Sequence, residues 1–424
     1  MYFVDRLTKS IFARNFAILA TGTIIAQVIP ILASPILTRI YSPQDFGVFA
    51  IFMAIVSSFT PVLSGKYEVA LLLPKDDSEG LDLLGVAFWF CACFSLFFLL
   101  VVLFGNQLLD KVFDAEKLGL WIFALPVAFL LTGFFNILTY FSNRSNNYKL
   151  ISKSRIIRST VVFIFSVLLG IAGFQSSGFI ISFFVGMLFS VFVFLFYGKY
   201  SWGLPNIAWN TNKYKSLVKY KDFPLYNATS GFLDGITIAM PIFFMSHYFS
   251  ETTVGLYALV VRVGNTPLAF ISSSVSQINL KKIIDLINTH KNVRLYLFRI
   301  SFLLLLIVFP FVLVTMLWAP SIFTFFFGNE WYDAGIYLQI LVPALGVKFI
   351  ASTLSSTLGA TNNNKLGMIW KIISFVTTII IFIYFAPKRD ILLLLSASMI
   401  ADIFLYILYY CFIWIAANHP RNYI

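Results

Sequence analysis

The chain has 424 residues, 59% of them hydrophobic and only 11% charged, and its mean hydropathy is +0.88. That balance excludes a soluble globular domain or a disordered chain and requires a polytopic membrane protein. The net charge of +12 raises the question of nucleic acid, but the positions of the basic residues account for it otherwise.

Taken in chain order, twelve apolar runs are long enough to cross a bilayer core of ~30 Å at about 1.5 Å per residue. They fall near 15–37, 46–64, 81–104, 118–141, 156–174, 178–197, 224–248, 254–277, 296–318, 332–358, 366–386 and 391–415. The first run exceeds signal-peptide length and has no small-residue cleavage site, so it is expected to remain as a helix. Cys91, Cys93 and Cys411 all lie inside apolar runs, which indicates neither a disulfide framework nor a zinc site. The longest polar connection, Lys199 to Asp222, separates the sixth and seventh runs and carries Lys213, Lys215, Lys219 and Lys221. The expected organisation is an N-terminal six-helix lobe (1–198), a cytoplasmic linker (199–222) and a C-terminal six-helix lobe (223–424). Because six is even, both lobes enter the membrane in the same direction, and their pseudo-twofold axis lies along the membrane normal.

A weak internal repeat supports this division. RIYSPQDFGVFA at 39–50 aligns without a gap to HYFSETTVGLYA at 247–258, an offset of 208, placing Ser42 on Ser250, Gly47 on Gly255 and Ala50 on Ala258. Each copy follows one apolar run and opens the next.

Lysines and arginines set the orientation. With the N-terminus (Arg6, Lys9, Arg14) in the cytoplasm, the even connections hold three groups in the first half. These are Lys66 and Lys75, then Arg144, Lys149, Lys153, Arg155 and Arg158, then the linker lysines. In the second half they hold Lys281, Lys282, Lys291, Arg294 and Arg299, and then Lys365 and Lys371. The opposite connections carry only Arg39, Lys111, Lys117, Lys388 and Arg389, so both termini are expected in the cytoplasm. The net charge is then a topology signal plus attraction to anionic lipid headgroups.

Enzymatic chemistry finds little footing. The outer connections are short, the longest being Ala319 to Trp331, and cannot form a large catalytic domain. There is no GxxxxGK[ST] phosphate loop, and His247, His290 and His419 form no ligand pair. Asp76 and Asp77 read as a solvated acidic pair in a turn. No metal or other cofactor is expected.

Charge placed at membrane depth is more informative. Arg262, Asp234, Asp402 and Lys348 all fall well inside apolar runs of the second half, where an ionisable group costs a few kcal/mol and normally faces a bundle interior or wet cavity. Snorkelling is the alternative for Lys348 and Arg262. Asp234 and Asp402 are too short for it and must be protonated, paired with a base such as Arg262, or exposed to water. Prolines are expected to break the first helix (Pro30, Pro35), second (Pro61), seventh (Pro241), eighth (Pro267) and tenth (Pro343). The first and seventh correspond between halves, as in a moving substrate path.

Residues 39–50, with SGKYEVALLLPKDDSEG at 64–80, resemble the start of the polysaccharide-unit (O-antigen type) flippases, which share a superfamily with multidrug and toxic-compound extruders. SETTVGLYALVVRV at 250–263, FFFGNEWYDAGIYLQILVPA at 325–344 and LGATNNNKLG at 358–367 are similar to that family as well. The resemblance implies transfer of an undecaprenyl-pyrophosphate-linked oligosaccharide from the cytoplasmic to the periplasmic leaflet of a bacterial inner membrane by alternating access. It also implies a lipid-linked glycan as partner, with a polymerase and chain-length regulator as further partners. Arg262 and Lys348 at depth, with Arg14, Lys66 and Lys371 near the cytoplasmic mouth, are the candidates to hold the pyrophosphate. Asp234 and Asp402 are candidates for a coupled cation or proton, and Glu68 for a structural pair with Lys66. A multidrug exporter of the same fold would need a deep carboxylate in the first half, where none is evident. A membrane polymerase or transferase would need a long outer loop or a histidine–carboxylate constellation, and a lipid II flippase two further helices.

Overall fold

The computed structural model describes residues 2–105, 109, 113–202 and 209–418, with side chains for 18–105, 109, 113–114, 116–198 and 209–418. Among the described residues all regular structure is helical. Twelve long helices coincide with the twelve expected runs. They are α1 (Tyr2–Leu37), α2 (Pro43–Phe59), α3 (Asp77–Phe104), α4 (Leu125–Arg144), α5 (Tyr148–Ile171) and α6 (Gln175–Trp202), followed by α7 (Thr229–Tyr248), α8 (Glu251–Asn288), α9 (Val293–Phe327), α10 (Tyr332–Leu354), α11 (Asn364–Phe385) and α12 (Ile391–Asn418). All but the 17-residue α2 have span length and apolarity when their flanking turns are included. The chain is an all-α polytopic membrane protein. Large apolar side chains such as Leu32, Phe104, Ile171 and Phe404 are exposed, as lipid-facing surfaces require.

The chain divides into two compact units, Met1–His247 and Tyr248–Ile424. In the first, α1 and α5 are joined by a ladder of polar contacts. The Ser152 hydroxyl donates to the Ile18 carbonyl (2.9 Å), Arg155 Nη1 to Thr23 Oγ1 (2.7 Å) and Ser159 Oγ to the Ala26 carbonyl (2.6 Å). Positions 152, 155 and 159 repeat on one helical face, and Gly22 lets the backbones close at Ser152. The last of these bonds explains why α1 does not break. Pro30 lacks the N–H that would bond the Ala26 carbonyl, and Ser159 supplies the missing donor from the neighbouring helix.

Helix α7 also packs on the first unit, so the division falls one long helix after the polar connection. A Cβ at Gly231 would lie 2.8 Å from Pro61 Cβ, and one at Gly235 2.9 Å from the Ser58 carbonyl oxygen. This small-xxx-small spacing permits the close approach. Phe59 then packs on Phe232 at a ring separation of 5.2 Å.

In the second unit α9, α10 and α12 enclose a core that includes Leu297, Leu304, Val308, Phe349, Leu354 and Ile413. Here too a proline is answered by a neighbour. Pro320 leaves the Met316 carbonyl without its helical donor, and Gln339 Nε2 donates to it at 2.8 Å. Gly335 gives α10 the room to approach Pro320.

Several expectations need correction. Pro30 and Pro35 lie inside a continuous α1, and Pro241 and Pro343 inside continuous α7 and α10. Pro61 follows the end of α2 and sits in a turn. Of these prolines only Pro267 alters the ladder, by a π turn over Val261–Asn265; a further π stretch, Phe223–Ala228, opens the seventh run ahead of α7 and has no counterpart in α1. Matching breaks in the first and seventh helices are therefore absent. Lys149, Lys153, Arg155 and Arg158 belong to α5 and not to a connection, because only Ser145–Asn147 separate α4 from α5. The stretch Ala319–Trp331, expected as an outer connection, is mostly helix, with Trp331 fully buried. In the linker, Thr211–Lys219 is a helix whose Lys213 is buried against Gly85 of α3.

The internal repeat has a structural counterpart. Ser42 and Ser250 are both N-caps, with φ/ψ of −71/161° and −75/159°, accepting from the backbone N–H of Asp45 and Thr253 respectively. Each caps a helix whose repeat glycine, Gly47 or Gly255, is buried.

Gln339→Leu should lower stability by about 1–3 kcal/mol by stranding the Met316 carbonyl. Gly235→Leu should abolish folding, whereas Gly359→Ala, whose Cβ would meet only Asn364 Oδ1 at 3.9 Å, should be tolerated. Fluorescence-detected size exclusion and thermal unfolding of detergent-solubilised protein measure all three.

Candidate functional site

In the second unit the π turn carries Arg262. Pro267 has no N–H and its ring would crowd the Val263 carbonyl, so the ladder widens and both the N–H and the hydroxyl of Thr266 reach the Val261 carbonyl, the latter at 3.2 Å. Arg262 is half-buried there, within the long α8 span. One helix away, Lys348 lies past Pro343 on α10, half-buried, its Nζ 5.7 Å from the Tyr406 ring centre. Asp402 of α12 is within electrostatic range of the Lys348 ammonium and of the Tyr257 and Tyr406 hydroxyls. Lys348 also borders a cavity of about 490 Å³ between α8 and α10.

The first unit holds a second cationic group that the sequence reading had counted as part of a connection. Arg155 bonds Thr23, and Arg158 lies with its guanidinium carbon 4.4 Å from the Phe135 ring centre and Nη1 4.0 Å from Met187 Sδ. Both are half-buried on α5, within its membrane-spanning stretch. The expected run from 156 leaves Arg155 outside the helix and Arg158 at its very start; the short turn SNRSNN, with Asn147 as the N-cap of α5, is the sequence signal for the earlier start.

The remaining candidates are dispersed. Lys66 sits in a left-handed turn (φ 59°) at the start of the short helix Tyr67–Ala70, with Nζ 3.8 Å from Glu68 Oε1. That is the structural pair expected. Glu68 is 2% exposed and accepts from the Ser64 hydroxyl. Burial pushes its carboxyl above the ordinary value, against the opposing effects of the Ser64 hydroxyl and the Lys66 charge. Lys371 is exposed on α11 and Asp234 is exposed on α7. The side chain of Arg14 lies outside the described residues. Asp76 and Asp77 are both exposed, and Arg144 ties their turn down through the carbonyls of Leu71, Pro74 and Asp76 and through Asp77 Oδ1 at 3.2 Å. No metal-binding group of three His, Cys, Asp or Glu occurs among the described residues.

A family profile described as polysaccharide biosynthesis protein matches residues 36–335. The chain belongs to the polysaccharide biosynthesis protein family. Comparison with curated protein sequences finds no significant match. The fold of this family member is similar to those of several solved transporters. It is similar to the inward closed conformation of the lipid II flippase MurJ, with a TM-score of 0.75 and 16% identity over 92% of this chain and 86% of that one. An inward-facing multidrug resistance MATE family transporter matches with a TM-score of 0.61 and 13% identity, covering 95% of this chain and 96% of the other. A superfamily transporter from Pyrococcus furiosus matches with a TM-score of 0.59 and 12% identity, covering 98% and 97%. At these identities the likeness is one of fold.

Because the folded-state carboxyl of Glu68 is raised, its proton is held more tightly in the native than in the unfolded chain. Its stabilising effect is full below the unfolded value and is lost as pH rises through the folded one. Glu68→Gln should therefore gain thermal stability relative to the native chain as pH rises from about 5 to about 8. Thermal unfolding of both proteins across that range checks the sign.

Proposed function

We propose that this polysaccharide biosynthesis family member moves an undecaprenyl-pyrophosphate-linked oligosaccharide repeat unit, of O-antigen, capsule or a similar glycan, from the cytoplasmic to the periplasmic leaflet of a bacterial inner membrane. The observation that carries the reading is the sign of the charge held at membrane depth. Arg155 and Arg158 in one unit, and Arg262 and Lys348 in the other, lie half-buried in spanning helices. Such groups are costly unless they serve a path or a ligand. A pyrophosphate crossing the low-dielectric layer needs cations to replace its hydration, and guanidinium groups bind it through paired N–H donors. The polyprenyl chain stays in lipid.

In this reading the six-helix halves on either side of the 199–222 linker alternate access to the two leaflets, and no reaction is catalysed. Arg14, Lys66 and Lys371 receive the headgroup at the cytoplasmic mouth, Arg262 and Lys348 hold it at depth, and Asp234 and Asp402 carry the coupled cation or proton. Both termini are cytoplasmic, and the transported unit passes to a polymerase and its chain-length regulator. The exporter reading is weaker. A cationic drug would need an available carboxylate in the first half, and Glu68 is buried against Ser64 with Lys66 beside it.

Deleting the gene should abolish surface glycan while lipid-linked single repeat units accumulate on the cytoplasmic side. Intact glycan with increased sensitivity to cationic dyes would replace the flippase reading with the exporter. In a complemented deletion strain, Arg262→Ala should reduce surface glycan about tenfold at unchanged membrane levels, with Arg262→Lys retaining part of it. Normal glycan in both would remove Arg262 from the cargo path. Asp402→Asn and Asp234→Asn should each make transport insensitive to the ion gradient, and unchanged dependence in both would end the coupling assignment.

A further inference from the structure

The cavity between α8 and α10 has a lining that anion binding does not explain. Apart from Lys348, its polar wall is built of neutral groups, among them Ser272, Ser273, Ser276, Gln277 and Ser352. Several of these hydroxyls have already committed their single proton. Ser273 donates to the Phe270 carbonyl at 2.9 Å, Ser355 to the Ser352 carbonyl at 2.7 Å, and Ser352 to the Lys348 carbonyl. A hydroxyl bonded back to its own helix keeps two lone pairs and turns them outward as acceptors. Asn279, 1% exposed and not itself on the wall, donates to Ser356 Oγ at 3.4 Å and so occupies one of that hydroxyl's lone pairs.

The polar part of the wall, set among the apolar side chains of Leu268, Leu280, Leu345 and Phe349, therefore offers mainly acceptors, with one cation at its edge. A phosphate, which only accepts, would find its donors at Lys348 and little support from the back-bonded hydroxyls. A metal cation would meet oxygen lone pairs, but beside an ammonium and with no carboxylate on the wall. A polyhydroxylated ligand presents many O–H donors and accepts from Lys348 and Gln277. The volume of about 490 Å³ lies within the ~300–1,000 Å³ usual for small-molecule sites.

We propose that this cavity is a sugar subsite, which takes a monosaccharide of the lipid-linked unit through its O–H groups. The inference rests on the flippase reading above and adds the place where the glycan is held and the chemistry that holds it.

The test uses the full chain in nanodiscs and equilibrium binding of five probes. One is bare polyprenyl pyrophosphate; the others carry a single glucose, galactose, N-acetylglucosamine or N-acetylgalactosamine. At least one sugar-bearing probe should bind about tenfold more tightly than the bare one, as one to two additional hydrogen bonds would give. Ser273→Ala/Ser352→Ala should reduce that gain to about twofold while leaving the bare probe's affinity unchanged, which also reports that the variant is folded. Arg262→Ala should weaken all five probes alike. If no sugar improves binding, or the serine variant weakens bare and sugar-bearing probes equally, the subsite is refuted while the flippase reading stands. If no probe binds at all, the bare one included, both fall together.

Discussion

The structure depends on one constraint: within the membrane every backbone carbonyl that loses its helical donor must find another. Prolines inside spanning helices create such carbonyls, and two of them show how the chain responds. Ser159 reaches across to Ala26 below Pro30, and Gln339 reaches to Met316 below Pro320. Each bond satisfies a stranded acceptor and also fixes which helix lies alongside and at what height. The prolines therefore act as docking points between neighbouring helices. Where the local solution is different, at Pro267, the ladder opens into a π turn and Arg262 is part of it. Backbone accounting thus leads directly to one of the few charges at depth.

The same economy governs the polar side chains. Arg155 is placed by the α1–α5 ladder, between two serine-to-carbonyl bonds, so its guanidinium is positioned by the contacts that hold the helices together. Arg144, on the helix before it, serves a structural end by gathering three carbonyls of one turn. Two arginines eleven residues apart thus differ in role because their neighbours differ in what they lack. Lys66 and Glu68 form a further local pair, and Lys213 is buried in the space that Gly85 leaves. The basic residues are in this way divided among structural pins, linker contacts and groups within the spanning helices.

The second unit combines charge with neutral polarity. Asp402, Lys348, Tyr257 and Tyr406 form one electrostatically linked group drawn from α8, α10 and α12. Beside it lies the serine-rich cavity, which shares Lys348. An anionic headgroup and the glycan attached to it require these two environments next to each other. The chain belongs to a polysaccharide biosynthesis family, and its fold is similar to those of transporters whose named cargoes differ widely.

Helix number, helix length and class were legible in the sequence, because span hydropathy and cap chemistry are local properties of a few consecutive residues. The Ser42 and Ser250 repeat survived into matching N-caps for the same reason. The placement of Arg262, Lys348 and Asp402 within span-length helices also followed from counting along apolar runs. What the sequence could not decide was which faces meet. Pro30 reads as a break until Ser159 is seen across from it, and Arg155 reads as a connection residue until α5 is found to start at Tyr148. The assignment of α7 to the first unit rests on Gly231 and Gly235 fitting Pro61 and Ser58, a match between distant segments. The acceptor-lined cavity likewise exists only where α8 and α10 converge. These are matters of complementarity between surfaces brought together by folding, and tertiary structure alone settles them.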